Sequence, residues 1–347
     1  DGGMLHVGPQ SAGAVPGPAC YGQGGDKPTV TDASLVLGYL DPEFFLGGNM
    51  SLDIEGAKAA VERDVAKPLN MSLEDAAAAI ISIATENMVQ AIIDITVNQG
   101  IDPREAVLIG GGGAAGLNST AIGRRLGSER VLIPEVGAAL SAAGAMMSDL
   151  HSQYTRTFFA TSEDFDADGV NAILDALEAS CNAFIDGPGQ GSIDQTIEFF
   201  AEARYPEQVW EIEVPIASRR FDSDADVRAL VQAFHEAHED IFAINDPESE
   251  IEVVGWTASV KCRLRESETG SLAERELQTS VDGSRKVYFS GHGHVDATVR
   301  RFEAMKEGEV LKGPAIIESP FTTVVVDPGA TAERRGSGSV SIVPGTA

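Results

Sequence analysis

The sequence predicts an α/β protein: a glycine-rich loop region and helices lead into one βαβ unit, followed by an α+β domain and a small β-rich C-terminal module. Three observations carry that reading. The segment AVLIGGGGAAGLNSTAIGRRLGSERVLIPE runs from an apolar stretch through a glycine turn and a helical stretch to a second apolar run, the pattern of strand, helix and strand. After Ser152 the texture changes to strands alternating with period two and helices with period 3.6. Beyond a polar gap, SETGSLAERELQTSVDGS, only short β-rich runs follow: KVYFS, PAIIES and TTVVVDPG. The expected boundaries are 1–152, 153–268 and 269–347.

The elements follow in order. Residues 1 to 50 hold GPQSAGAVPGPACYGQGGDKP, a Gly/Pro density that suits an ordered loop system, and such loops often carry function. TDASLVLGYL can open a helix with Thr31 or Asp32 as cap, and SLDIEGAKAAVERDVAKPL reads as an amphipathic helix ending near Pro68. MSLEDAAAAIISIATENMVQAIIDITVNQG is the longest helical pattern, opened by Ser72 and closed by Gly100, and is expected to be a central buried helix. VGAALSAAGAMMSDL follows the βαβ unit as a small-residue helix. Then TRTFFATSEDF reads as a strand, DADGVNAILDALEASCNAFI as a helix, SIDQTIEFFAEARYPEQVWEIEVPI as a hairpin and DADVRALVQAFHEAHEDIFA as a helix. IEVVGWTASVKCRLRE closes the α+β domain.

At 347 residues with 43% hydrophobic and 22% charged residues, the chain is long enough to bury a core in two or three domains. Its net charge of −28 repels nucleic acid and anionic lipid, which excludes both as partners. An anionic nucleotide binds such a chain where Mg²⁺, a helix N-terminus or a basic partner residue offsets the field. Cys20, Cys181 and Cys262 are odd in number and lack zinc-site spacing, so a reducing compartment is expected, the cytoplasm. No run of eighteen apolar residues occurs, and the start Asp1-Gly2-Gly3 has no basic-then-apolar signal region; the beginning is expected to be an internal cut.

Gly110 to Gly113, with Ala114, Ala115 and Gly116, lie between a strand and a helix. Their backbone can approach a ligand closely and present N–H groups to an anion. Gly111, Gly113 and Gly116 also spell G-x-G-x-x-G, with Glu135 ending the next strand where a dinucleotide fold keeps its ribose acid. Against NAD, the unit follows a hundred residues of loop and helix, and no second strand-helix pair comes after Glu135. A third reading is a tight turn whose glycines only permit packing.

DGGMLHVGPQSAGAVPGPACYGQGGDKPTVTDASLVLGYL resembles the signature of the hydantoinase A and oxoprolinase family, which includes acetone and acetophenone carboxylases. LIGGGGAAGLNSTAIGRRLGSERVLIPEVGAALSAAGAMMSDL and KGPAIIESPFTTVVVDPGATAERRGSGSVSI are similar to two further blocks of that family. The resemblance implies half of an actin-like ATPase fold, the fold of acetate kinase, sugar kinases and heat-shock-70. Gly110, Gly111, Gly112, Gly113, Ala114 and Asn118 would then form the adenosine-binding turn, and Val136 to Asp149 the helix that crosses between subdomains. It implies ATP and Mg²⁺ as cofactors, and two partners: the N-terminal half of the same subunit and a hydantoinase B type subunit. The implied activity is phosphorylation of a carbonyl or amide oxygen, leading to hydrolysis of a cyclic amide such as a hydantoin or lactam. Carboxylation of a ketone is the alternative, and a noncatalytic assembly subunit a third reading. The catalytic residues of the second step are not assigned. The sequence departs from the family in Ala115-Gly116-Leu117-Asn118, where a Pro and a His are usual, in Tyr205-Pro206-Glu207-Gln208, where Tyr-x-Gly-Gln is, and at Asp240-Ile241-Phe242, where Tyr-Gly is common.

Single residues carry paired readings. Asp32 can hold Mg²⁺ beside a nucleotide cleft or cap the helix of SLVLGYL. Cys20 can be a reactive thiol or a buried core residue, and no Cys/His pair favours the former. His292 and His294 can share a strand face, but two ligands do not make a metal site. His235 and His238 lie one helical turn apart among acids, which points to a solvated helix face. Asn87 and Gln90 are candidates to line the cleft.

Overall fold

The computed structural model describes residues 3–266 and 283–345. They fall into two compact units, Asp1–Ala145 with Ala273–Ala347, and Met146–Leu272.

In the first unit the helix Leu73–Asn98 starts where Ser72 Oγ accepts from the Asp75 amide. Glu74 and Asp75 in its first turn oppose the positive end of the helix dipole. Its N-terminal half is core: Ala76, Ala77, Ile80, Ile81, Ala84, Thr85 and Val89 are buried. Its C-terminal half is not, with Ile95 at 60% and Val97 at 62% exposure. The expected central buried helix is therefore buried over one half only. By length and hydropathy it would also pass for a membrane span, but its apolar first half is spent on the core of this unit. The amphipathic helix Ile54–Val61 runs on through a π-turn, Glu62–Ala66, into Lys67–Leu69.

Two sheets complete the unit. One has the spatial order Leu108–Ile109, Val131–Ile133, Val340–Val343, Thr331–Arg334, Val310–Lys312. Its first pair is parallel and the others antiparallel. The second runs Thr323–Val326, Ala315–Glu318, Gly293–Arg301, Gly283–Phe289. The C-terminal strands thus extend the sheet begun by the βαβ unit instead of standing apart as a 269–347 module. Val131, Ile133, Ile317, Val324, Val340 and Ile342 form one buried cluster, and pairing between strands two hundred residues apart leaves no local trace in a sequence. The expected boundary at 269 falls outside the described residues.

The second unit is one antiparallel sheet in the order Leu150–Thr161, Glu252–Arg263, Asp194–Arg204, Ile212–Ile216. Helices Ala167–Asp186 and Asp224–Phe242 share a core with it through Leu174, Leu177, Leu230 and Phe234. Phe199, Ala201 and Ala203 point inward by strand alternation. Trp256 is fully buried, and its Nε1 donates to the carbonyl of Phe158 at 3.0 Å.

Candidate functional site

The glycine turn is built by a strand that stops after two residues. Leu108 N donates to Arg130 O and Gly110 N to Leu132 O at 3.1 and 2.9 Å, which holds Leu108–Ile109 parallel to Val131–Ile133. The chain then swings so that Gly112 N donates to Gly137 O at 2.7 Å, and the helix Ala115–Leu126 begins with no side chain capping its first amides.

The glycines are not equivalent. A Cβ on Gly110 would lie 2.5 Å from Ile133 Cδ1, one on Gly111 2.6 Å from Leu140 Cδ2, and one on Gly116 would run into the backbone of Thr323 and Val324. Packing explains these three. Gly112 differs: its φ is +115°, and a Cβ there would meet nothing within 4 Å. Its bare backbone therefore faces open space, which is what close approach of a ligand requires.

Two hollows flank the turn. Gly110, Gly111, Ala114, Ala115 and Asn118 line a broad open groove shared with residues of the N-terminal loops, among them Gly8, Pro9, Asp26 and Thr29. Gly113, Ala114 and Leu117 line a smaller cavity of about 250 Å³ shared with residues 318–323. The NAD reading loses its ribose acid, because Glu135 Oε1 lies 3.4 Å from Arg334 Nη2, a guanidinium stacked over the Phe302 ring. The sheet also has a single parallel pair among the described residues, not a repeated βαβ series.

Asn118 is buried, and its Nδ2 donates to Thr85 Oγ1 at 2.9 Å, which in turn donates to Ile81 O. It tethers the turn's helix to the long helix while lining the groove. Asp32 has no exposed surface. Its Oδ1 accepts from Cys20 N at 2.8 Å, and its Oδ2 accepts from Ala19 N, Thr29 N and Thr29 Oγ1 at 3.2, 2.9 and 2.7 Å. Four donors occupy the carboxylate. The helix cap itself is Thr29, with Asp32 closing a reciprocal capping box at the third position of Val30–Val36. Of the two readings of Asp32 this geometry matches the cap, since a cation would have to displace those donors. The described residues hold no group of three or more His, Cys, Asp or Glu arranged for a metal.

Cys20 is buried, and burial first, then the neighbouring Asp32 carboxylate, push its thiol well above the usual range. That makes it an inert core thiol. Asn87 and Gln90 are exposed: Asn87 Nδ2 donates to Val7 O and Gln90 Nε2 to Asp94 Oδ1. Asn87 lines the open groove. His292 sits in a turn, and His294 lies 3.6 Å from Glu74.

His235 and His238 correct the sequence reading, for both are buried at 4% exposure rather than solvated. Tyr205 Oη accepts from Asp246 N at 2.8 Å and meets His235 Nδ1 at 2.7 Å. His238 Nδ1 donates to Ile244 O at 2.6 Å, leaving its Nε2 to accept from Gln208 Nε2 at 3.1 Å. The acids flanking these histidines in sequence, Glu236, Glu239 and Asp240, are exposed.

Sequence reasoning also missed Glu318. It is 1% exposed, paired with Arg285 at 2.7 Å and Arg301 at 2.8 Å, and lines the smaller cavity. The available signal was a lone carboxylate ending the apolar run AIIE.

The sequence profile of the hydantoinase/oxoprolinase family matches residues 1–154, and that of the hydantoinase/oxoprolinase C-terminal domain matches residues 162–334. The caprolactamase subunit alpha of Pseudomonas jessenii is 36% identical over 99% of this chain and 50% of its own length. The crystal structure of the ATP-dependent caprolactamase from that organism superposes with a TM-score of 0.74 at 35% identity, covering 99% of this chain and 51% of the other. The nucleotide-free structure of an acetone carboxylase gives 0.81 at 26% identity, covering 98% and 49%. The acetophenone carboxylase gamma subunit of Aromatoleum aromaticum is 29% identical over 94% of this chain and 46% of its own length. The chain spans about half the length of these relatives.

Proposed function

The chain belongs to the hydantoinase/oxoprolinase family, and from that premise we propose that it is the adenosine-binding part of an ATP-dependent enzyme that activates a carbonyl or amide oxygen by phosphorylation. The reaction we favour is hydrolysis of a cyclic amide, a hydantoin or lactam. The observation that carries the nucleotide reading is Gly112, a bare positive-φ corner opening onto space beside a helix whose first amides have no side-chain cap. The 36% identity to a caprolactamase subunit supports the amide class. On this reading the unit is half of an actin-like ATPase fold.

ATP supplies the phosphoryl group that turns an inert oxygen into a leaving group. What this chain contributes is position. The turn at Gly110–Ala114 gives the nucleoside a backbone wall, and Asn118 fixes the following helix to Leu73–Asn98. Magnesium would come with the nucleotide, because Asp32, the carboxylate expected to hold it, is fully engaged by its own loop. The N-terminal half of the same subunit and a hydantoinase B type subunit are the partners we expect, supported by the half-length match to proteins named as subunits. Three buried, unpaired cysteines support a reducing compartment such as the cytoplasm.

The superposition on acetone carboxylase supports ketone carboxylation as the second reading. Calorimetry with Mg-ATP tests nucleotide binding. ADP release, measured with the partners present and a lactam or hydantoin in one arm and a ketone with bicarbonate in the other, tests the substrate class. Absence of nucleotide binding with the partners present would leave the noncatalytic assembly role.

A further inference from the structure

The second unit leaves a cluster of large apolar side chains bare. Val209 and Trp210, in the loop after the strand Asp194–Arg204, are 75% and 80% exposed. Ile241, Phe242 and Ile244, at the end of the helix Asp224–Phe242 and just beyond it, are each more than half exposed. Apolar residues scattered singly over a surface need no explanation, but these five are gathered. Gln208 Nε2 donates to His238 Nε2 at 3.1 Å, His238 Nδ1 donates to the carbonyl of Ile244 at 2.6 Å, and the Phe242 and His238 rings lie 4.7 Å apart between centroids. None of the five is more than two residues from a group that touches that imidazole. Tyr205 closes the clasp: its N–H donates to Gln208 Oε1 at 3.1 Å and its Oη accepts from Asp246 N at 2.8 Å. Hydrogen bonds therefore fix the loop to the helix end, and the apolar side chains stay uncovered.

The rim of this patch carries one sign of charge. Residues 205–211 and 239–248 contain six acids and no Lys or Arg. Among the described residues only Glu211 of the six has an ion pair, with Arg204 at 3.1 Å. A second copy of the chain would set these acids against their own counterparts, on molecules that each carry a net charge of −28. A partner with Lys and Arg beside an apolar stripe meets both features at once. Apolar contact at the centre supplies affinity, and opposite charge at the rim supplies approach and register.

We propose that this patch is a docking surface for a basic amphipathic segment of a partner protein, with Trp210, Ile241 and Phe242 receiving its apolar side chains and Glu207, Glu239 and Asp240 facing its Lys or Arg residues. Every residue named lies in the second unit, so the proposal is independent of the nucleotide reading.

The test is fluorescence anisotropy on this chain with three labelled synthetic peptides: a Leu/Lys amphipathic helix, its Leu/Glu counterpart, and a Ser/Lys peptide that keeps the charge and lacks the apolar stripe. The Leu/Lys peptide should bind at least about ten-fold tighter than either of the others. Trp210→Ala and Ile241→Ala should each weaken it about ten-fold, since exposed aromatic and aliphatic anchors carry most of such an interface. Asp240→Lys should weaken it too, and more at low salt than at high salt. Phe159→Ala, at an exposed apolar residue of the strand Leu150–Thr161, should change nothing, and far-UV circular dichroism checks that each variant is folded. Equal binding of the Ser/Lys peptide, or equal weakening by Phe159→Ala, would show charge attraction without a site and overturn the proposal. So would failure of the Leu/Lys peptide to bind. Self-association of the chain in analytical ultracentrifugation that Trp210→Ala abolishes would assign the patch to a second copy instead, and binding of phosphatidylcholine vesicles that the same variant abolishes would assign it to a lipid surface.

Discussion

Thr120 Oγ1 donates a 2.6 Å hydrogen bond to the backbone carbonyl of Val325, and both groups are buried. One side chain on the helix after the glycine turn thereby holds the strand Thr323–Val326, which leads from the loop carrying Phe321 and Thr322. Thr120→Val keeps the shape and removes the donor. It should cost about 1 to 2 kcal/mol, read as a lower urea midpoint by far-UV circular dichroism. An unchanged midpoint would show that the bond is dispensable.

Asp32→Ala should be far more damaging than an exposed cap, because three backbone amides and one hydroxyl lose their acceptor together. About 3 kcal/mol is expected, with Asp32→Asn in between since one amide oxygen remains. Any Mg-ATP affinity that survives refolding should be unaltered by the Asn variant. A specific loss of magnesium dependence would restore the ligand role.

Substitutions along the glycine turn should separate packing from binding. Gly116→Ala drives a methyl into the backbone of Thr323 and Val324 and should destabilise by about 2 kcal/mol. Gly112→Ala meets no atom, so only its positive φ opposes it, about 1 to 2 kcal/mol. The order reverses for ligand affinity: Gly112→Ala should weaken Mg-ATP binding more than Gly116→Ala does, measured by calorimetry on each folded variant. Equal effects would count against Gly112 as the contact point.

The pH dependence of the second unit should trace to His235. Burial lowers its pKa below the ordinary histidine value, the nearby His238 adds to this, and Asp246 opposes it. The folded state therefore favours the neutral ring. Its contribution to stability is complete above the unfolded histidine pKa of about 6.5. It is lost as pH falls from there toward the lower folded value. His235→Gln should flatten the decline in urea midpoint between neutral and mildly acid pH, and an unaltered slope would assign the effect to other groups.

Local patterns were legible where chemistry is local. Ser72, Gly100, the glycine turn and the strand–helix order after Ser152 all read correctly because caps, breakers and periodicity act within a few residues. Asp32 looked like a ligand or a cap because its four partners include Ala19 and Cys20, a dozen residues upstream, which no periodicity reveals. His235 and His238 were read as solvated from their acidic neighbours. A helix face is set by what packs against it, here Tyr205, Gln208 and the carbonyl of Ile244. Glu318 was invisible for the same reason, since Arg285 reaches it across a sheet register.

The only two tryptophans of the chain, Trp210 and Trp256, both lie in the second unit, one 80% exposed and the other fully buried. Tryptophan fluorescence is therefore blind to the unit that carries the glycine turn. A melting curve followed at tryptophan wavelengths would report the sheet around Trp256 while the proposed nucleotide-binding part opened unseen. Placing an indole at Phe321, on the rim of the smaller cavity, would give that half of the molecule a voice of its own.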